Sequence, residues 1–464
     1  MLGDHDVFIE KNPELARQSG RDQELIQTTG KDRVQAQASR GIENVCGRFA
    51  SSTIASLVPD GKALGMGNGM TREASRPMFS IVTRTKSALR QLVASRGVEA
   101  YWRFWARLVL LVRRPLIIAV TGTVGKTSTV AMIGKVLEHP SAYRRTGWVL
   151  HTENNMNDDR GLPMTVLRFE DWMSPRERFA ATLLLPFRAL SLLLFTRYPD
   201  TLVLEYGTHW KGHLHQLVKL APPEIGVVTT IGPAHLDRLK TVQGVIREKG
   251  AVVSATPASG LVVLGAEHDY VAELEALAKA PVRKVRGRGL QLSQEIARVI
   301  GLHLGLSEQA ISSAIADFRP KEGRLNTLHP GRLTVIDDSY NANPLSMRLA
   351  LDTLTELANP PQRRVAFLGA MAELGENTVT FHDEIGRYAR EKCDVTIGVG
   401  ELARHYNPDH WFSTSRACAE QIAELVRPGD CLLVKGSASL EMGVIVRRVS
   451  ELADPREQSR LVSA

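Results

Sequence analysis

The stretch Leu116–His139, LIIAVTGTVGKTSTVAMIGKVLEH, decides the fold. LIIAV is an uninterrupted apolar run, so it predicts a strand buried on both faces, and TSTVAMIGKVLEH carries the spacing of a helix. Between them lies Thr121-Gly-Thr-Val-Gly-Lys-Thr-Ser128. A strand that turns through glycines into a helix gathers backbone N–H groups and the positive end of the helix dipole at one point, which is a cradle for phosphate. In that cradle Gly122, Thr123, Val124, Gly125, Lys126, Thr127 and Ser128 are the expected ATP-binding residues. Lys126 would reach the β- and γ-phosphates and the Thr127 hydroxyl would ligate Mg²⁺. Val120 stands where the longer GxxxxGK[ST] pattern has its first glycine, so the loop is a shortened form.

Outward from this segment, TLVLEYG (201–207), IGVVTTIG (225–232) and GLVVLGA (260–266) are further apolar strands with helical patterns between them. Strand–helix alternation of this kind predicts a parallel α/β sheet. A second alternating run follows: RLTVIDDSY (332–340), RRVAFLGA (363–370), CDVTIGVG (393–400) and CLLVKGSAS (431–439). The expected fold is α/β, a P-loop parallel-sheet ATPase domain over 115–320 followed by a smaller Rossmann-like C-terminal domain over 321–464. The stretch Phe318–Arg324, FRPKEGR, is the expected hinge.

The 464 residues, 43% hydrophobic and 23% charged, exclude collagen-like, coiled-coil and wholly disordered chains. Four cysteines (Cys46, Cys393, Cys418, Cys431) show no CxxC or Cys/His spacing, so a reducing compartment is expected and a structural zinc site is not. The net charge of +8 is concentrated at the front: residues 1–114 hold 18 Lys+Arg against 11 Asp+Glu, and the remainder is nearly balanced. That pattern excludes a dispersed nucleic-acid surface and points to a local anionic contact. Residues 1–75 are polar and aperiodic, so they read as disordered or as the product of a start codon placed too early. Residues 76–114 form a basic amphipathic helical segment that Gly97 is expected to interrupt. Two readings of it stand. The helix packs on the following domain with a solvated basic face, or it lies at a membrane interface with Trp102 and Trp105 at the headgroups. The apolar run 180–195, interrupted by Pro186 and Arg188, could also lie in an interface. No stretch is long enough to span a bilayer, and no export signal is read, so a cytoplasmic protein is expected; on the second reading of the basic segment, residues 79–114 would add a peripheral contact to the inner membrane face.

TGTVGKTST resembles the nucleotide loop of the Mur ligase family, ATP-dependent amide-forming enzymes. The resemblance covers about residues 115–445 and implies roles for further residues. Glu205, His235 and a carbamylated Lys249, with Thr127, would hold Mg²⁺. Lys126, Lys249, His235 and Arg324 would be the catalytic set. Arg324, Asp338 and Asn341 would close over ATP, and Asn154, Asn155 and Asn157 would line the substrate side. Taken singly, His235 passes for a core histidine, Glu205 for a cap and Lys249 for a solvated lysine; in order and in frame they form a set. The chemistry requires such a set, because ATP and an attacking carboxylate are both anionic and must be neutralised before an acyl phosphate forms.

Ile336–Pro344, IDDSYNANP, resembles the branch of that family that adds D-alanyl-D-alanine to a cell-wall precursor. The implied partner is a small-molecule or nucleotide-sugar peptide substrate, handled by a monomer that binds no nucleic acid. Three features depart from the family pattern: Gly265–His268 at the adenine contact, and Ala370 and Ala438 on the amine side. The usual UDP-gripping N-terminal domain has no counterpart in 1–114. Alternatives remain: the same chemistry on a different, membrane-presented acceptor; a folate or amino-acid-polymer ligase, which DDSYNANP disfavours; and a nucleotide-binding pseudoenzyme scaffold, which the intact set disfavours. His209, His213 and His215 read as surface polar residues at a helix start.

Overall fold

The computed structural model describes residues 96–142, 146–171, 173–359 and 361–452. The readings made for 1–75, and those for 76–95 in the basic segment, lie outside the described residues, as does the question of a UDP-gripping domain.

Six strands build the first sheet: β1 (Leu116–Thr121), β2 (Val149–His151), β3 (Thr201–Glu205), β4 (Ile225–Val228), β5 (Leu261–Gly265) and β6 (Val282–Val285). Their order is β2-β3-β1-β4-β5-β6, and every pair is parallel. Central β1 is buried along almost its whole length, as an uninterrupted apolar strand must be when helices cover both faces. The second sheet holds β7 (Asn326–Leu328), β8 (Thr334–Asp338), β9 (Arg364–Gly369), β10 (Val395–Val399), β11 (His410–Phe412) and β12 (Cys431–Lys435). Its order is β11-β10-β9-β12-β8-β7, parallel except for the antiparallel edge pair β7–β8. The α/β fold is therefore as expected from the sequence. The short strands β2, β6, β7 and β11 were not anticipated; all four are edge or near-edge strands of three or four residues, with too little alternation to signal themselves.

The helices that position the site are α1 (Arg96–Arg113), α2 (Lys126–Leu137), α3 (Gly161–Val166), α4 (Pro175–Leu194), α5 (His213–Leu220), α6 (Leu236–Leu239), α7 (Val242–Ala255), α8 (Val271–Glu275), α9 (Gly289–His303), α10 (Glu308–Ala316), α11 (Pro344–Leu357) and α12 (Thr378–Lys392). α11 starts with a capping box: Asn343 accepts from the Ser346 N–H, Ser346 accepts from the Asn343 N–H, and Pro344 occupies the first turn. Residues 318–324 join α10 to β7, and the Gly323 N–H donates to Asp337 Oδ2 at 2.8 Å.

α1 packs on the body. Trp102, Ala106, Val109 and Leu110 are buried in the same core as Leu185, Ala189 and Leu192 of α4. A large side chain buried in this way contributes about 1.5–3 kcal/mol. Trp102 therefore faces the core and not lipid headgroups, and its indole N–H donates to Thr182 Oγ1 at 2.9 Å. Gly97 is the second residue of α1, and the stretch before it, from which it was expected to break the helix, lies outside the described residues. Pro186 does not end α4, which runs through it for 20 residues. No helix among the described residues is long and apolar enough to cross a membrane.

Candidate active site

The carboxyl ends of β1, β3 and β4 meet where the chain switches direction across the first sheet, the position at which open α/β sheets bind ligands. Gly122, just after β1, has φ +150°, and a Cβ there would stand 1.9 Å from Thr229 Oγ1. Gly125 has φ +85° and opens α2 without a side-chain cap, so its first-turn N–H groups point into the cleft. Two threonines after β4 brace the loop: Thr230 accepts from the Thr123 N–H at its carbonyl at 2.8 Å and from the Val124 N–H at Oγ1 at 3.0 Å, and the Thr229 hydroxyl donates to the Val124 carbonyl at 2.6 Å.

Behind the loop lies a polar cluster. Glu205, at the end of β3, is 2% exposed. Its Oε2 accepts from the Thr127 hydroxyl at 2.6 Å and its Oε1 from the Asn157 amide at 2.7 Å. Lys249, on α7, is 1% exposed and donates to the Gly122 carbonyl at 2.8 Å. Burial, reinforced by Lys126, pushes the Lys249 amine well below the ordinary lysine range, and burial also lowers Lys126. His235 opens α6 in the left-handed region at φ 53°, and burial lowers its pKa.

The second sheet supplies the opposite wall. Arg324 donates to Asn155 Oδ1 at 2.8 Å and stacks over Tyr340 at 4.1 Å. Asp338, at the end of β8, receives Lys435 Nζ at 2.5 Å, and Lys435 also donates to the Asn341 carbonyl at 2.8 Å. Burial pushes the Asp338 carboxyl up, against the pull of Lys435. The Asn341 side chain accepts from the Ala342 N–H.

Between the walls is a cleft of about 610 Å³. Thr123 through Ser128, Glu205, His235, Arg324, Asp338, Asn341, Asn154, Asn155 and Asn157 all line it. Gly122 and Lys249 lie beneath it. The sequence-predicted residues are thus brought together, including three asparagines of which Asn154 and Asn155 adopt φ near +50°, a region that asparagine tolerates.

Sequence reading missed several residues. Lys435 and Tyr340 line the cleft; a lysine ending an apolar strand was the available signal for the first. Leu290, Leu292, Leu325 and Leu349 form an apolar end to the cleft. Glu373, in the loop after β9, reaches across to His235, with its Oε2 2.5 Å from Nδ1. The histidine reading needs correction for two of its three residues. His215 is exposed, but His213 is wholly buried, stacked on Trp210 at 3.9 Å with Nε2 3.7 Å from Asp159, and His209 lines the cleft. A helix start read by polarity alone does not reveal that α5 docks against α7, where Glu248 accepts from the Gly212 and Leu214 N–H groups. At Gly265–His268, Glu267 accepts from Arg288 and the Gly287 N–H and lies outside the cleft lining. Ala370 is buried, bonded to the Val399 carbonyl and the Ser437 N–H, and Ala438 is exposed.

This arrangement is that of a P-loop α/β protein with a polar cleft between two sheets. Comparison places it further. Residues 120–180 and 186–335 match the Mur ligase middle domain, and residues 323–438 match the Mur ligase glutamate ligase domain. The chain is 30% identical over 409 residues to the UDP-N-acetylmuramoyl-tripeptide–D-alanyl-D-alanine ligase of Mycobacterium leprae, covering 71% of this chain and 72% of that one. It is 26% identical to the Escherichia coli enzyme of the same name over 388 residues, covering 72% and 77%. Among solved structures it resembles the MurF ligase of Thermotoga maritima in complex with ADP (TM-score 0.64, 20% identity, 78% of this chain and 85% of that one). It also resembles a bifunctional folylpolyglutamate synthase/dihydrofolate synthase of Yersinia pestis complexed with AMPPNP and Mn (TM-score 0.55, 17% identity, 82% and 99%). The chain belongs to the Mur ligase family, ATP-dependent ligases that form amide bonds and use Mg²⁺.

Proposed function

We propose that the chain joins D-alanyl-D-alanine, through its amine, to the carboxylate of a nucleotide-sugar peptide precursor of the cell wall. Residues 115–320 act as the ATP-binding part and 321–464 as the closing C-terminal part, in a cytoplasmic monomer. The observation that carries this reading is the facing of two sets across one cleft: Lys126, Thr127, Glu205 and His235 on one wall, Arg324 and Asp338 on the other. The leucines at the far end suit a purine, and the backbone N–H groups of the loop suit its phosphates.

The donor set fits Mg²⁺. A hydroxyl and a carboxylate already lie within hydrogen-bond distance of each other at Thr127 and Glu205, where a hard cation could take both oxygens. His235 adds an imidazole, and a carbamate on Lys249 would add a second anionic group. A metal held by these residues would supply neutralisation of phosphate and carboxylate charge. The chain's own groups do the rest. Lys126 and Arg324 stabilise the charge that develops on the transferred phosphoryl group and then on the tetrahedral intermediate. Asn154, Asn155 and Asn157 orient the carboxylate substrate beside them. Movement about 318–324 shuts out water that would hydrolyse the acyl phosphate.

The same chemistry with a different amine is the second reading, because Ala370 and Ala438, on the amine side, depart from the family pattern. One experiment separates them: phosphate release from ATP and Mg²⁺ with UDP-N-acetylmuramoyl-tripeptide and D-alanyl-D-alanine, added together and singly, with Lys126→Ala as control. Release that requires both substrates is the expected result. ATP binding without turnover would reject the substrate assignment, and absence of ATP binding would reject the ligase assignment.

A further inference from the structure

Nine of the sixteen exposed large apolar side chains among the described residues lie on or beside two helices. On α4 the buried residues Leu185, Ala189 and Leu192 mark one face. The opposite face carries Leu183, Phe187, Leu190 and Leu194, spaced three and four apart, with Leu184 and Phe195 at its edge. Phe187 is 70% and Phe195 80% exposed. α1 adds Phe104, Leu111 and Val112. The two helices run side by side in the same direction, because Trp102 bonds Thr182 while Arg113 bonds the carbonyls of Leu192 and Thr196. A patch on this scale marks an interaction surface.

Charge identifies what it fits. Residues 96–114 and 174–197 contain nine arginines, two glutamates, and no lysine or aspartate. Exposed Arg107 and Arg176 lie on these helices and exposed Arg114 directly follows α1; Arg107 also donates to the Lys219 carbonyl. An apolar helical face bordered by arginines is the chemistry of insertion at the boundary between anionic headgroups and acyl chains. The helices are held rigidly from behind by the core that α1 shares with α4, so the surface is preformed.

We infer that the α1–α4 face docks the enzyme on anionic lipid bilayers. This inference stands apart from the substrate assignment, because no residue of the face lines the cleft. The test is flotation of the full chain with phosphatidylglycerol-containing vesicles and with neutral phosphatidylcholine vesicles. The triple variant Leu183→Glu, Phe187→Glu, Leu194→Glu is run beside it, and its ADP affinity reports that it is folded. Binding to the anionic vesicles that weakens with salt, and falls at least tenfold in the folded variant, supports the inference. No vesicle binding, equal binding by the folded variant, or a dimer that this variant dissolves would overturn it; the last would assign the face to a second copy of the chain. If the triple variant does not fold, the single Phe187→Glu change replaces it and is read by the same criteria.

Discussion

Lys126 and Lys249 donate to the same oxygen, the carbonyl of Gly122, at 2.9 and 2.8 Å. Two ammonium groups on one buried carbonyl repel, and the arrangement eases when one of them loses its charge. Lys249 is the one that burial depresses most clearly, and a neutral amine is what adds CO₂, releasing one proton as the carbamate forms. Its lowered pKa means that the neutral form appears at lower pH than on an ordinary lysine. Protein equilibrated with ¹³C-bicarbonate should therefore show a carbamate carbon resonance that grows with pH. The signal should be absent in Lys249→Arg. Its persistence in that variant would place the carbamate elsewhere.

Lys126 itself reaches back to the loop that it would serve, poised to exchange the Gly122 carbonyl for phosphate oxygens. Lys126→Ala should lower phosphate release by roughly 10²–10³-fold, the usual cost of one preorganised charge-stabilising group. Nucleotide binding should be affected less, because the loop N–H groups remain. A calorimetric titration with ADP beside the rate measurement checks both.

His235 and Glu373 come from different sheets, and each has a left-handed backbone, at φ 53° and 61°. The imidazole bond holds the Glu373 carboxyl below its usual range, so Nδ1–H donates to a carboxylate and Nε2 is the nitrogen left to face a metal. Glu373→Gln should raise the Mg²⁺ concentration for half-maximal activity by roughly 10–100-fold. Mn²⁺ affinity in the presence of ADP, followed by electron paramagnetic resonance, should fall in parallel. Unchanged Mn²⁺ affinity would refute the positioning role.

Arg324 uses both its charge and its plane, bonding Asn155 across the cleft while stacking on Tyr340. Arg324→Lys keeps the charge and loses the fork and the stack. A loss of about 1.5–3 kcal/mol, roughly 10–150-fold in kcat/KM for ATP, is expected. Rescue by lysine would show that charge alone suffices.

Burial, with His209 beside it, pushes the His213 imidazole down to about 4. The unfolded chain binds a proton near 6.5 and the folded chain only near 4, so stability is lost as pH falls through that window. Denaturant midpoints measured from pH 7 to 4 should decline less steeply in His213→Gln than in the parent. Parallel declines would remove His213 from the acid limb.

The parallel α/β architecture was legible in the chain, because continuous apolar strands between helical patterns admit few other arrangements, and β1, β3, β4, β5, β8, β9, β10 and β12 lie where their apolar runs are. The phosphate loop was legible too, since glycine placement and a strand–turn–helix order are local properties of the chain. Tertiary structure alone decided which distant groups meet. The contact of Glu373 with His235, the sharing of the Gly122 carbonyl by two lysines, and the seating of Lys435 on Asp338 each join segments about 90 to 140 residues apart or link a loop to a helix of another layer. No periodicity carries that information. The same holds for burial. The polar run around His213 reads as surface until α5 is seen packed on α7. Conversely, the apolar run of α4 reads as one segment that could lie in an interface, and only the packing shows that Leu185, Ala189 and Leu192 are core while the opposite face is turned to solvent.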